Sequence, residues 1–150
     1  MTNNEPNKAR EYLEQVKMLD EQIFDLLEDK AQYMALREKI TSSWGTERVS
    51  GGDSRDRLNE TTNKIIEIEN KIDEKVDELV ATKEKIRDLL AQIKNPVYYG
   101  LLTKMYFRGK TLDAAAYELG YCTKQAGRKH KTALRIVERL LQEKDVPKCP

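Results

Sequence analysis

Cysteine and histidine are almost missing from this chain. There are two cysteines, Cys122 and Cys149, 27 positions apart, and one histidine, His130. That spacing is neither a disulfide framework nor a redox pair, and a Cys/His zinc site would lack ligands. No metal and no cofactor is expected. Seven glycines and four prolines in 150 residues exclude collagen-like and Gly/Pro-rich low-complexity chains. No apolar run approaches the ~18 residues that span a bilayer. The start, Met1-Thr2-Asn3-Asn4-Glu5-Pro6, has no basic region followed by an apolar stretch. A soluble cytoplasmic protein without membrane contact is the expectation. Charge of one sign is also lacking overall: 27 Lys+Arg against 26 Asp+Glu, a net of +1.

What is present is charge of both signs, 35% of the chain, unevenly distributed. Residues 1–96 carry 16 basic and 21 acidic side chains, a net of −5; residues 97–150 carry 11 and 5, a net of +6. Such asymmetry suggests a nucleic-acid-facing module joined to one that does not bind.

The acidic part reads as two long helices. Apolar residues recur at Ala9, Tyr12/Leu13, Val16, Leu19, Ile23, Leu26/Leu27, Met34 and Ile40, in steps of mostly three and four. Pro6 is acceptable in a first helical turn, and neither Gly nor Pro interrupts from Asn7 to Trp44. The clusters Thr41–Gly45 and Ser50–Ser54 mark a loop. Leu58, Ile65, Ile72, Leu79, Ile86 and Ile93 then follow at a strict seven-residue interval. Ile68, Val76 and Leu90 fill the second stripe, while Lys75, Thr82 and Lys83 leave it polar in the middle. The second helix is expected to end at Asn95-Pro96, because the residue before proline avoids the helical region. Two such helices joined by a reversing loop predict a coiled-coil-like antiparallel hairpin over residues 1–94. It serves either as a spacer or in self-association or partner binding.

Residues 95–150 are punctuated differently. Asn95-Pro96 starts a short helix with Val97, Leu101, Leu102, Met105 and Tyr106 inside, ended by Arg108-Gly109-Lys110. Thr111 caps a second helix with Leu112, Ala115, Ala116 and Leu119 on one face, stopping at Gly120. Thr123 is expected to cap a third, with Ala126, Ala133, Leu134, Val137 and Leu140/Leu141 inside. Two helices across a tight glycine turn have the layout of a helix-turn-helix.

The stretch Leu101–Leu141 resembles region 4 of sigma-70-type factors. The resemblance rests on Met105-Tyr106-Phe107-Arg108-Gly109-Lys110-Thr111-Leu112, Ala115-Ala116-Tyr117-Glu118-Leu119-Gly120-Tyr121 and Ala133-Leu134. In layout the whole chain is similar to phage and prophage proteins related to phage late-transcription regulators. The resemblance implies an all-α fold, duplex DNA binding in transcription control, and no catalysis. RNA polymerase and further copies of the chain are the partners it suggests for the hairpin. Gly127 and Lys129 depart from the family pattern on the reading helix.

A recognition helix presents its N-terminal residues to base edges, here Thr123, Lys124, Gln125 and Arg128. Gln suits adenine and Arg or Lys suits guanine. Lys110, Lys129, Lys131 and Arg135 are assigned to phosphates, and His130 to the surface or a phosphate. The bland alternative is a solvated basic face. Two other readings stay open: a small-terminase-like DNA-packaging component, and an interaction protein whose helix-turn-helix does not bind DNA. Enzyme motifs fail. Gly109-Lys110-Thr111 lacks the P-loop's first glycine, since Lys104 stands there. Asp77-Glu78 is interspersed with Lys on a solvated face. Asn59-Glu60-Thr61, a glycosylation acceptor in form, has no meaning without secretion.

Overall fold

A computed structural model describes residues 7–43 and 52–145, and every element among them is helical. The roles expected for Pro6, for the loop residues Trp44 to Gly51 and for Cys149 lie outside the described residues. The elements are α1 (Asn7–Ser43), α2 (Gly52–Leu90), α3 (Pro96–Leu102), a π-helical turn (Thr103–Phe107), α4 (Leu112–Leu119) and α5 (Thr123–Asp145). The chain divides into two compact units, Leu19–Leu79 and Met1–Met18 with Val80–Pro150.

The first unit is an antiparallel helical pair. Lys30 of α1 forms an ion pair with Glu69 of α2 at 3.2 Å. Ten residues further along α1, Ile40 shares a groove with Arg57, Glu60 and Thr61 of α2. One helix therefore ascends as the other descends. Leu19, Ile40, Ile65 and Ile68 are buried, and Ile23, Leu26, Tyr33 and Ile72 are half-buried. Two expectations shift here. Tyr33, not Met34, takes the inward position, and Met34 and Leu27 are exposed. Lys75 is half-buried in the second stripe of α2, while Val76 is exposed. The 3–4 spacing from Ile65 through Ile68 and Ile72 leads to position 75, whatever residue stands there. Polar residues also extend α1 to Ser43: Thr41 and Ser42 donate their hydroxyls to the carbonyls of Arg37 and Glu38 at 2.9 and 2.8 Å.

The second unit combines the first turns of α1, the last turns of α2 and everything from α3 onward. Its core contains Ala9, Leu13, Val16, Ile86, Leu89, Leu90, Leu101, Leu102, Ala133, Leu134 and Val137, all at 3% exposure or less. α2 ends at Leu90, short of the expected Asn95, through a tighter last turn in which the N–H of Ile93 meets the carbonyl of Leu90 at 2.9 Å. That turn keeps Ile93, the final member of the seven-residue stripe, buried at 8% exposure. Asn95 then adopts the extended backbone required before proline (φ −79°, ψ 117°), and its Oδ1 caps the N–H of Val97 at 2.9 Å.

Candidate nucleic-acid interface

The turn between α4 and α5 sets the geometry of the basic helix. Thr111 Oγ1 accepts the N–H of Ala114 at 3.2 Å and starts α4. Gly120 ends it in the left-handed conformation, φ 80°. The N–H of Tyr121 reaches the carbonyl of Ala116 at 2.9 Å and that of Gly120 reaches Tyr117 at 3.2 Å, which together form a Schellman motif. Leu101, Ala115, Ala116 and Ala126 form a buried cluster, with Val97, Met105, Leu112, Leu119 and Tyr121 packed against it. The alanines lack bulk, so α3, α4 and α5 approach closely.

α5 begins at Thr123 itself. The expectation that Thr123 caps it is corrected by one position, since the carbonyl of Cys122 accepts the first helical bond, from Ala126 N–H at 2.9 Å. Gln125 Oε1 lies 3.5 Å from the N–H of Cys122, a long contact directed back at the helix start.

The residues assigned to base edges, Thr123, Lys124, Gln125 and Arg128, are all exposed. Of those assigned to phosphates, Lys131 and Arg135 are exposed. Lys124, Arg128, Lys131 and Arg135 recur at steps of four, three and four, so they share one face of α5. Arg139 continues that spacing and is exposed as well. Residue type alone does not single it out, although the same periodicity reaches it. The five cations extend over about 22 Å at ~1.5 Å per residue. No acidic residue occurs in α5 before Glu138, whose carboxylate accepts the N–H of Ala9 at 2.9 Å.

Lys110 and Lys129 are placed otherwise. Lys110 and Lys104 both pair with Glu118 of α4, Lys104 at 2.7 Å. Hydrogen bonds from the two ammonium groups hold the Glu118 carboxyl down at about 2. Lys129 is half-buried, and its ammonium lies 4.9 Å from the centre of the Tyr121 ring, a cation–π contact. The charged end is thus accommodated on the turn's aromatic residue while the stem covers the inner edge of the helix. At Gly127 an added Cβ would lie 3.8 Å from Leu112 Cδ2, an ordinary contact.

His130 is a correction. It is 8% exposed, with Nε2 3.0 Å from the hydroxyl of Tyr106 and the two rings stacked at 5.9 Å. Burial pushes its pKa down to about 4, assisted by the positive charges of Arg10 and Lys17. It faces neither solvent nor phosphate. The signal was in the spacing: position 130 falls between Ala126 and Ala133/Leu134 on the buried face of α5.

The π-helical turn presents Tyr106 to that contact. The N–H of Arg108 reaches back five residues to Thr103 at 3.2 Å, and Gly109 reverses the chain at φ 69°. Lys17 lies 5.2 Å from the centre of the Tyr106 ring, and Arg87 5.4 Å from that of Phe107. The three-helix module is therefore held by the ends of both long helices.

No helix among the described residues is long and apolar enough to cross a membrane, and no group of three or more His, Cys, Asp or Glu there could hold a metal ion. Among known proteins, the model of the DUF1492 family, described as a protein of unknown function, matches residues 39–138. No curated protein and no solved structure matches the chain.

Proposed function

We propose that this chain, which belongs to the DUF1492 family, is a sequence-specific duplex-DNA-binding transcriptional regulator of phage or prophage type. The observation that carries the reading is the stripe Lys124, Arg128, Lys131, Arg135 and Arg139, exposed along one face of α5 directly after a Gly120 turn. A basic helix launched from a tight turn suits entry into a major groove, with its first residues at base edges and the later ones along phosphates. The similarity of Leu101–Leu141 to sigma-70 region 4 supports the same role. Gln125 and Arg128 serve as readers, and Lys131, Arg135 and Arg139 as phosphate contacts. The protein acts by binding, without catalysis, and the long helices supply the surface for RNA polymerase or for further copies of the chain.

The test uses the full chain, because Ala9 and Lys17 of α1 pack with the basic module. Bound sequences are selected from random duplexes, and affinity is then measured between about 50 and 200 mM salt. A neutralised phosphate contact contributes roughly one unit of log–log salt slope. The variant Lys131→Ala/Arg135→Ala is expected to lower the slope by about two with sequence preference unchanged. Arg128→Ala is expected to relax preference at one base position. Binding without salt dependence, or indifferent to both changes, would refute the assignment.

A further inference from the structure

The hairpin unit leaves a second apolar stripe uncovered. Phe24, Leu27, Ala31 and Met34 of α1 recur at i, i+3, i+7 and i+10, the spacing of a helix-packing seam. This is not the seam used by α2, which takes Ile23, Leu26, Tyr33 and Ile40. Phe24 is 60% exposed, Leu27 47% and Met34 40%. Large apolar side chains in a row on a solvated helix mark an interaction surface.

Around Phe24 and Leu27, before Lys30, the charges beside this stripe have one sign. From Asp20 to Asp29 the charged residues are Asp20, Glu21, Asp25, Glu28 and Asp29, all exposed. None of the five takes part in an ion pair among the described residues. The nearest base along the helix, Lys30, is already paired with Glu69. The acids Asp20, Glu21 and Asp25 line one shallow depression together with Phe24.

We infer that this face of α1 docks a basic amphipathic helix of another protein, with apolar residues against Phe24, Leu27 and Met34 and Lys or Arg against the acidic row. Charge complementarity selects that occupant. A second copy meeting the same face would set acid against acid across an isologous interface. Nor does another helix among the described residues offer the required combination. The large apolar residues exposed on α2, Ile66, Val76 and Val80, lie on a helix with more acid than base. No large apolar residue of α5 itself is among the exposed ones in the described residues. The added helix would convert the pair into a three-helix coil. The inference does not depend on DNA binding, which uses other residues and a different assay.

The test is a display library of helical peptides with an apolar 3–4 seam and flanking positions randomised among Lys, Glu and Gln, selected against the full chain. Enriched peptides are expected to be Lys-rich on the flanks. Their affinity should fall about tenfold or more, a ~1.4 kcal/mol change, in Phe24→Ser/Met34→Ser and again in Asp25→Lys/Glu28→Lys. Circular dichroism on each variant should show unchanged helix content, since all four positions are exposed. Failure to enrich any peptide, enrichment without a basic bias, or affinity indifferent to these variants would overturn the inference. So would concentration-dependent self-association abolished by Phe24→Ser/Met34→Ser, which would assign the stripe to a second copy.

Discussion

Tyr106 Oη and His130 Nε2 lie 3.0 Å apart in the interior, joining the π-helical turn to the middle of α5. The hydroxyl thus partners a buried ring nitrogen, and the side chain of Arg10 also hydrogen-bonds it. Burial pushes the phenol's pKa up and the imidazole's down, so both are neutral at physiological pH. The pair is a structural element behind the basic helix.

The first prediction concerns pH. His130 titrates near its ordinary 6.5 in the unfolded chain and at about 4 in the folded one. Between those values the unfolded state binds the extra proton, so stability falls as pH is lowered from about 6.5 towards 4 and is fully present above. Each pKa unit corresponds to about 1.4 kcal/mol, so the loss approaches ~3 kcal/mol. Urea unfolding measured at pH 7.5, 6, 5 and 4.5 should show this slope. His130→Gln retains a partner for Tyr106 and should remove that component; an unaltered slope in the variant would contradict the assignment.

Glu138 ties α5 to the start of α1. Its carboxylate accepts the N–H of Ala9 in the first turn of α1, where backbone donors lack intrahelical partners. Negative charge is also favourable at that end of the helix. Glu138→Ala is expected to cost about 1–2 kcal/mol in chemical denaturation. Glu138→Gln should retain part of the bond and lose less.

Glycines 127 and 120 should respond in opposite directions to alanine. At Gly127 the added methyl meets only Leu112 at an ordinary distance, and a helix-interior Gly→Ala change gains up to ~1 kcal/mol. Gly120 stands at φ 80°, where a Cβ is strained by roughly 1–2 kcal/mol. Thermal melts of the two variants should therefore move to opposite sides of the parent. Stabilisation in both would show that the turn rearranges.

Glu118 holds Lys104 and Lys110 beside the turn. If DNA approaches the α4–α5 face, this acid opposes it. Glu118→Gln is expected to tighten duplex binding a few-fold at low salt and less at high salt, where such charges are screened. Equal affinity at low salt would place Lys110 outside the contact region.

Element type was legible because it rests on local periodicity and end signals. The 3–4 spacing in α1 and α2, the Asn95 and Thr111 caps and the Gly120 stop are all present in the structure. The exposed positions of the candidate site, Thr123, Lys124, Gln125, Arg128, Lys131 and Arg135, follow from the same helical phase. Residue type and helical phase conflict at three positions, and phase prevails. Val76 and Met34 are apolar yet exposed, and His130 is polar yet buried.

The sequence by itself determined the helices, their approximate ends and the concentration of base after Pro96, since each depends on neighbours a few positions away. Tertiary structure decided which cations stay free and which are held, and where the histidine sits. Lys110 is committed to Glu118 and Lys129 to Tyr121. His130 is neutral because Tyr106 faces it and Arg10 and Lys17 oppose its protonation. Burial and electrostatic environment are sums over atoms brought close in space. For His130, cationic neighbours arrive from the first turns of α1, more than a hundred positions away along the chain.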